Sequence, residues 1–416
     1  MANESNESEA VVASTIEAQS GIDRETLVRW RRILHMHPEI AGRERDTAAY
    51  IAKKLRQMGL RVEENIAGFG LMAILPGDPQ KNCVALRADM DALPINEVNN
   101  TVYKSQRPGW MHACGHDTHM AMVLGAAQIL TQNPPGGALK FIFQPSEEKP
   151  PGGAREMVGA GVLQNPDVDA IFATHITNDY PVGTVGLFDG AVMAVADDFK
   201  LTICGRGGHG ASPHQTIDTI AVTAQAIDAM QNIHSRRIDP TEPVVLTIGT
   251  IHGGTAQNII PDRVEMTGTV RCSSTQTRDR VLEYMHEVLA GVTYAWGAHY
   301  ELNYIYGYPP VVNNPRLLHL VEEVARDIPG LTIKNMAKPL MAGEDFSYFS
   351  AAVPAVFFLT GAGSEKHHQA WHTCDFDIDE NALLFGATLL AQTVTRVASQ
   401  GKTDYRLLGD NQSSLG

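Results

Sequence analysis

A chain of 416 residues is longer than one hydrophobic core usually serves, so two domains are expected, one of them interrupted. With 44% apolar and 19% charged residues it is too apolar and too weakly charged for intrinsic disorder. Lys and Arg total 33 against 47 Asp and Glu, and the formal charge of −14 opposes phosphate backbones and anionic bilayers, which argues against nucleic-acid and membrane partners.

The opening MANESNESEA is polar and acidic where a secretory leader needs a basic start and an apolar core. No apolar run reaches bilayer length, so a cytoplasmic location is expected. The chain ends are expected to be mobile. Asp23 to Leu34 and Thr47 to Met58 carry apolar residues at helical spacing, with Gly59 as a C-terminal cap. Gly70 to Leu75 and Cys83 to Arg87 read as buried strands around the turn-forming GDPQKN. His119 to Leu130 is apolar on most faces, as a helix packed on a sheet would be, and Leu139 to Phe143 and Ala170 to Thr174 are further strands. Alternating strands and helices of this kind predict an α/β sheet covered on both faces.

From about Asp197 the character changes. Strands at Phe199 to Cys204, Val244 to Ile251 and Arg263 to Arg271 surround helical patterns at Thr216 to His234 and Thr277 to Ala290. This predicts a separate α+β unit, a four-stranded sheet backed by two helices, inserted over 197–307 into a discontinuous α/β domain made of 1–196 and 308–416. The α/β pattern resumes with a helix at Arg316 to Arg326, a strand at Val356 to Thr360 and a last helix from Glu380 to Ala398. The cysteines, Cys83, Cys114, Cys204, Cys272 and Cys374, are odd in number and scattered, which suits reduced thiols better than a disulfide scaffold.

The chemistry-bearing residues gather at predicted strand ends. MHACGHDTHM places Cys114 and His116 two apart, on one side of the chain if it is extended, where thiolate and imidazole suit Zn²⁺ or a related ion. The competing reading is a helix start capped by Asp117, with the histidines satisfying backbone groups; in either case His112 and His119 are expected to support the site or the fold and not to ligate. LKFIF runs into QPSEE, so Glu147 and Glu148 sit at a strand's carboxyl end, where one can ligate a metal while the other takes a proton from water. Asp89 and Asp91 in RADMDALP occupy a similar place, and either can orient a histidine ligand. His175 after AIFAT and His372 before the final helix are further ligand candidates.

Taken in order, LHMHPE, RADMDALP, MHACGHDTHMAMVLGAA, FQPSEE, PVGTVG, GRGGHGASPH, GGTAQNIIPD, AGEDFSYF and WHTCDFDIDENAL resemble the amidohydrolase branch of the dinuclear metallopeptidases, which includes aminoacylases, hippurate hydrolases and indole-acetyl-amino-acid hydrolases. The resemblance implies a zinc-peptidase-like α/β catalytic domain with an inserted lid and dimerisation domain. It implies two divalent ions, Mn²⁺ or Zn²⁺ with Co²⁺ or Ni²⁺ as options, held by Cys114, His116, Glu148, His175 and His372, with Glu147 as general base and Asp91 as supporting carboxylate. His209 and Asn258 match positions linked to substrate binding or oxyanion stabilisation, although the glycines around His209 read equally well as a tight turn and Asn258 as a strand cap. Arg271, ending VEMTGTVR, is a candidate to hold the substrate carboxylate because a bidentate guanidinium suits it, and a homodimer or higher homo-oligomer follows from the likeness. The expected reaction is hydrolysis of the amide of an N-acyl-amino acid by a metal-activated water. Dipeptides and N-carbamoyl- or aminobenzoyl-amino acids are alternative substrates, and a non-catalytic partner subunit is a third reading. Thr177 to Tyr180, Trp371 to Cys374 and the Lys-Pro-Pro after Glu148 depart from the family pattern, which points to an altered substrate pocket.

Overall fold

The computed structural model describes residues 2–406, with side chains from residue 11 onward. Residues 2–20 form a helix, Ala2–Ser20, where a mobile end was expected, and the expectation for residues 407–416 lies outside the described residues. The chain divides into two compact units, one made of Met1–Val192, Val311–Lys338 and Asp345–Gly416, the other of Met193–Pro310 and Pro339–Glu344.

The first unit is built on an eight-stranded sheet in the order Arg61–Ile66, Gly70–Leu75, Leu139–Gln144, Val84–Asp89, Ala170–Pro181, Ala355–Gly363, Thr184–Leu187, Thr332–Asn335. Its centre is parallel. Val84–Asp89 lies between Leu139–Gln144 and Ala170–Pro181, and Ala355–Gly363 runs alongside the latter, all in one direction. These central strands are buried along their length, apart from the last four residues of Ala170–Pro181, as strands covered on both faces must be, and so read as largely continuous apolar runs. Two strand ends and one edge strand differ from expectation. Val84–Asp89 runs two residues further, to Asp89; Ala170–Pro181 continues through His175 rather than stopping before it; and the edge strand Arg61–Ile66, polar and half-exposed, has no apolar signal to find it by.

Helices cover the sheet. His116–Gln132 packs against Ala382–Ala398 and Arg24–Met36, and the first two approach so closely that a Cβ on Gly386 would lie 1.9 Å from Met122 Sδ. Arg24–Met36 starts at Asp23, whose carboxylate accepts from the Thr26 N–H at 2.7 Å. Its buried stripe is Leu27, Trp30, Arg31, Leu34 and His35, the i, i+3, i+4, i+7, i+8 pattern, and two of those positions are ionisable. They face a buried carboxylate set: Arg31 donates to Asp117 at 2.7 Å and to Asp377 at 2.9 Å, and His35 contacts Asp117 at 2.9 Å and Glu97 at 3.3 Å. Asp117 is thus committed to Arg31 and His35, not to capping its own helix.

The second unit is a four-stranded antiparallel sheet in the order Val244–Gly253, Arg263–Cys272, Val195–Cys204, His299–Tyr308, with helices Thr219–Arg236 and Thr275–Trp296 on one face. Asp218 and Ser274 cap the two helices with their side-chain oxygens. Val222, Ala226, Met230 and Ile233 of one helix and Val281, Met285 and Leu289 of the other share a core with Phe199, Leu201 and Ile203. The fourth strand of the expected sheet, His299–Tyr308, was not located in the sequence, because its inward residues Tyr300, Leu302 and Tyr304 are only half-buried and alternate with His, Glu and Asn.

Candidate metal centre

The parallel strands deliver their carboxyl ends to one edge of the sheet, where open α/β sheets carry their sites. There the chain turns into helix His116–Gln132 at Gly115, whose φ is 85° and whose Cβ, were there one, would lie 2.4 Å from Ile176 Cγ2. Only glycine meets both conditions. This turn, and not an extended segment, brings Cys114 and His116 to the same point. His116 donates from Nδ1 to the Asp91 carbonyl at 2.8 Å, which leaves Nε2 bare, buried and without a hydrogen-bond partner. Around that nitrogen stand Asp89 Oδ2 at 3.8 Å, Glu148 Oε1 at 3.8 Å and Glu147 Oε2 at 4.0 Å.

The peptide of Ile176 orients two more histidines. Its N–H donates to His119 Nε2 at 2.9 Å, fixing the tautomer in which His119 Nδ1 donates to Asp89 at 2.6 Å. Its carbonyl accepts from His175 Nδ1 at 2.7 Å and from Trp371 Nε1 at 2.9 Å, so the free Nε2 of His175 faces Cys114 Sγ at 3.4 Å. The Trp371 ring packs on the His175 ring with centroids 4.4 Å apart.

Glu147 and Glu148 follow Ser146, a non-glycine residue at φ 59°. The loop is held in that shape by carboxylates: the Glu44 side chain accepts from Ser146 N–H at 2.8 Å, and Asp91 accepts from the N–H groups of Glu147 and Glu148, both at 2.9 Å. His372, also at a positive φ of 64°, closes the far side, its Nε2 lying 3.3 Å from both Cys114 Sγ and Glu148 Oε1. Its side chain is 53% exposed, unlike those of His116 and His175, so this side opens to solvent.

The donor atoms of Cys114, His116 and His175 lie within 4.8 Å of one another, as do those of Cys114, Glu148 and His372, and of His116, Glu147 and Glu148. These triads share members, which is the arrangement two neighbouring ions require. The electrostatics agree. Although burial opposes charge on His116, the carboxylates of Asp89, Asp91 and Glu148 raise it to about 10. The same carboxylate field that draws a proton onto this ring would draw a cation between them. Burial, with Glu148, Glu147 and Asp89, holds the Cys114 thiol well above its ordinary range, so a divalent ion must displace that proton to be bound. Two buried acceptors without hydrogen-bond partners, His116 Nε2 and Glu148 Oε1, point into the space between the ligand candidates. Thiolate, imidazole and carboxylate donors at these separations fit divalent transition-metal ions.

His112 is buried with neither ring nitrogen hydrogen-bonded, and burial lowers it to about 3, so it packs as a neutral ring. The remaining predicted site residues, His209, Asn258 and Arg271, belong to the other unit. His209 is exposed and pairs with Ile259 in a short bridge, Asn258 offers its carbonyl to Gly210 N–H at 2.8 Å, and Arg271 is half-buried in strand Arg263–Cys272. Sequence reasoning did not single out Arg87, Asp345, Glu44 or the stacking role of Trp371. Arg87 donates to Asp89 at 2.8 Å, Gln144 at 2.8 Å and Asp345 at 3.0 Å, tying the ends of adjacent strands together. The first departing segment is tied to residues on either side of the second: Asn178 donates to the carbonyls of Gln369 and Asp377, at 3.0 and 2.9 Å.

Residues 85–396 match the model of peptidase family M20/M25/M40. Thermostable carboxypeptidase 2 of Saccharolobus solfataricus is 39% identical over 87% of this chain and 92% of its own length. An N-acyl-L-amino acid amidohydrolase of Geobacillus stearothermophilus is 45% identical over 69% of this chain and 78% of its length. A crystal structure titled as a dinuclear metal-binding peptidase of the M20 family, from Bacillus subtilis, superposes with a TM-score of 0.80 at 34% identity, covering 90% of this chain and 98% of that one. The chain belongs to peptidase family M20/M25/M40 and is an enzyme that hydrolyses amide bonds.

Proposed function

We propose that this enzyme hydrolyses the amide bond of N-acyl-amino acids, with two divalent ions, Mn²⁺ or Zn²⁺, held by Cys114, His116, Glu148, His175 and His372. The observation that carries the reading is the gathering of these donor atoms in overlapping triads, with Glu147 Oε2 4.0 Å from His116 Nε2. Bound there, the ions supply Lewis acidity to the scissile carbonyl and to water. Glu147, left over once Glu148 ligates, takes the proton of the attacking water and passes it to the leaving amine. Asp91 positions both glutamates through their backbone N–H groups, and Trp371 holds the His175 ring in place. The exposed side of His372 marks the substrate's entry.

An N-acyl-amino acid and the carboxyl end of a peptide share the same scissile unit, an acyl group on the amine of a free amino acid. A second reading, removal of a carboxyl-terminal residue or cleavage of a dipeptide, is therefore chemically adjacent and is supported by the carboxypeptidase relative. N-carbamoyl- and aminobenzoyl-amino acids share that unit as well. Substrate contacts from His209 and Asn258, a guanidinium clamp on the substrate carboxylate from Arg271, a lid and dimerisation role for 197–307 within a homo-oligomer, and a cytoplasmic location belong to the same proposal. Among the described residues no helix is long and apolar enough to cross a membrane.

The test is a panel of acetyl- and benzoyl-amino acids and dipeptides, assayed for released amine after chelation and re-addition of Mn²⁺, Zn²⁺, Co²⁺ or Ni²⁺. Metal-dependent release from the acylated amino acids, faster than from dipeptides, is expected. Preference for dipeptides favours the second reading, and no release with any ion contradicts both.

A further inference from the structure

The face of the four-stranded sheet turned away from its helices carries a group of side chains that the proposed chemistry does not use. In strand Val195–Cys204, Phe199, Leu201 and Ile203 enter the core, so Lys200, Thr202 and Cys204 stand on the open face. Antiparallel pairing sets Cys204 directly opposite His299, and Thr202 opposite Glu301. Directly opposed residues have Cβ atoms about 4.5–5.5 Å apart, and residues i and i+2 of one strand share a face. Cys204, His299 and Glu301 therefore form a compact triangle, and their donor atoms all lie within 4.8 Å of one another.

A tetrahedral ion with bonds of about 2.3 Å to sulfur and about 2.0–2.2 Å to nitrogen and oxygen holds its ligand atoms about 3.3–3.6 Å apart. Side-chain rotation on an open face closes the difference without moving the backbone. The charges nearby leave this triangle available. Glu265, on the same face, is engaged by Arg263 at 2.7 Å, whereas Glu301 has no ion-pair partner among the described residues. The Cys204 thiol is only partly covered, in contrast to the buried Cys83, Cys114 and Cys272.

We propose that Cys204, His299 and Glu301 bind one divalent cation of the zinc type, Zn²⁺ or Co²⁺, at a site distinct from the catalytic donors and independent of the proposed reaction. A thiolate with an imidazole and a carboxylate selects such an ion over Mg²⁺ or Ca²⁺, which prefer all-oxygen sites. Binding replaces the thiol proton and leaves a fourth position to water. The ion staples the first turn of the edge strand His299–Tyr308 to its neighbour, where the chain has just left helix Thr275–Trp296 through Gly297.

The holoenzyme, dialysed to equilibrium against buffered micromolar free Zn²⁺, is compared with the C204S/H299A variant by metal mass spectrometry and by amide hydrolysis. The wild type is expected to carry one zinc per chain more than the variant, at equal hydrolytic rate. In parallel, alkylation of Cys204 by iodoacetamide, followed by peptide mapping, is expected to slow about tenfold at Zn²⁺ ten times its dissociation constant. H299A and E301Q should each remove that protection. Equal zinc content in wild type and C204S/H299A, or alkylation of Cys204 indifferent to zinc, overturns the proposal.

Discussion

Asp91 illustrates how a residue acts on this site without entering it. Its carboxylate accepts the N–H groups of Glu147 and Glu148 in succession, so one side chain sets the position of both glutamates. Asp91→Ala removes both acceptors, and a misplacement of an ångström costs on the order of 10²-fold in rate. Turnover should fall about 10²-fold while metal content, read by mass spectrometry, stays near that of the wild type; unchanged turnover contradicts the role. At this scale the sequence was informative where chemistry crowds together: Cys114 beside His116 at the start of a buried helix, and Glu147 beside Glu148 after a buried strand. It could not show which way they face. The positive φ of Gly115 creates the convergence, and the Trp371 ring on His175 joins residues whose Ile176 hydrogen bond spans 195 positions.

Helix Arg24–Met36 carries two ionisable residues, Arg31 and His35, on the buried stripe, so its packing is electrostatic as well as apolar. Arg31 is almost wholly buried against Asp117, Asp377 and Glu380. Arg31→Met takes the guanidinium from Asp377 and leaves Asp117 with His35 alone, and should destabilise the fold by about 3–5 kcal/mol in denaturant melts. A loss under about 1 kcal/mol contradicts this account of the network. His35 adds a pH dependence. Burial and the neighbouring Arg31 oppose its charge, but Asp117 and Glu97 prevail and raise it above its ordinary 6.5. A group raised on folding stabilises fully below its unfolded pKa and loses that contribution as pH rises through the folded one. The stability advantage of wild type over His35→Gln should therefore be greatest below pH 6.5 and shrink above it. A difference constant with pH contradicts the assignment. The helix itself was plain from its 3.6-residue pattern. The edge strands Arg61–Ile66 and His299–Tyr308 were not, since an edge strand half in water need not be apolar.

For the whole molecule, the first unit gathers side chains from near both ends of the chain, Glu44 to His372, onto one sheet edge. Ions held there would bind only the folded unit and so add to its stability by mass action, about 2.7 kcal/mol at a hundredfold excess over the dissociation constant. Chelation should lower the melting temperature, and re-addition of Mn²⁺ or Zn²⁺ should restore it; a melting temperature indifferent to both contradicts a metal centre at this edge. The alternation of strands and helices, and its change of character near Asp197, made the α/β and α+β parts legible in sequence. The pairing of segment 339–344 with the second unit was not, because six residues carry no periodic signal. The account as a whole rests on Glu147 as the base beside a metal set that does not include it. Glu147→Gln, measured for metal content and for amine release from an N-acyl-amino acid in the same preparation, tests this most directly. Metal should stay at the wild-type level while turnover drops by about 10²–10⁴-fold, the contribution of a general base; near-normal turnover in the metal-loaded variant would contradict it.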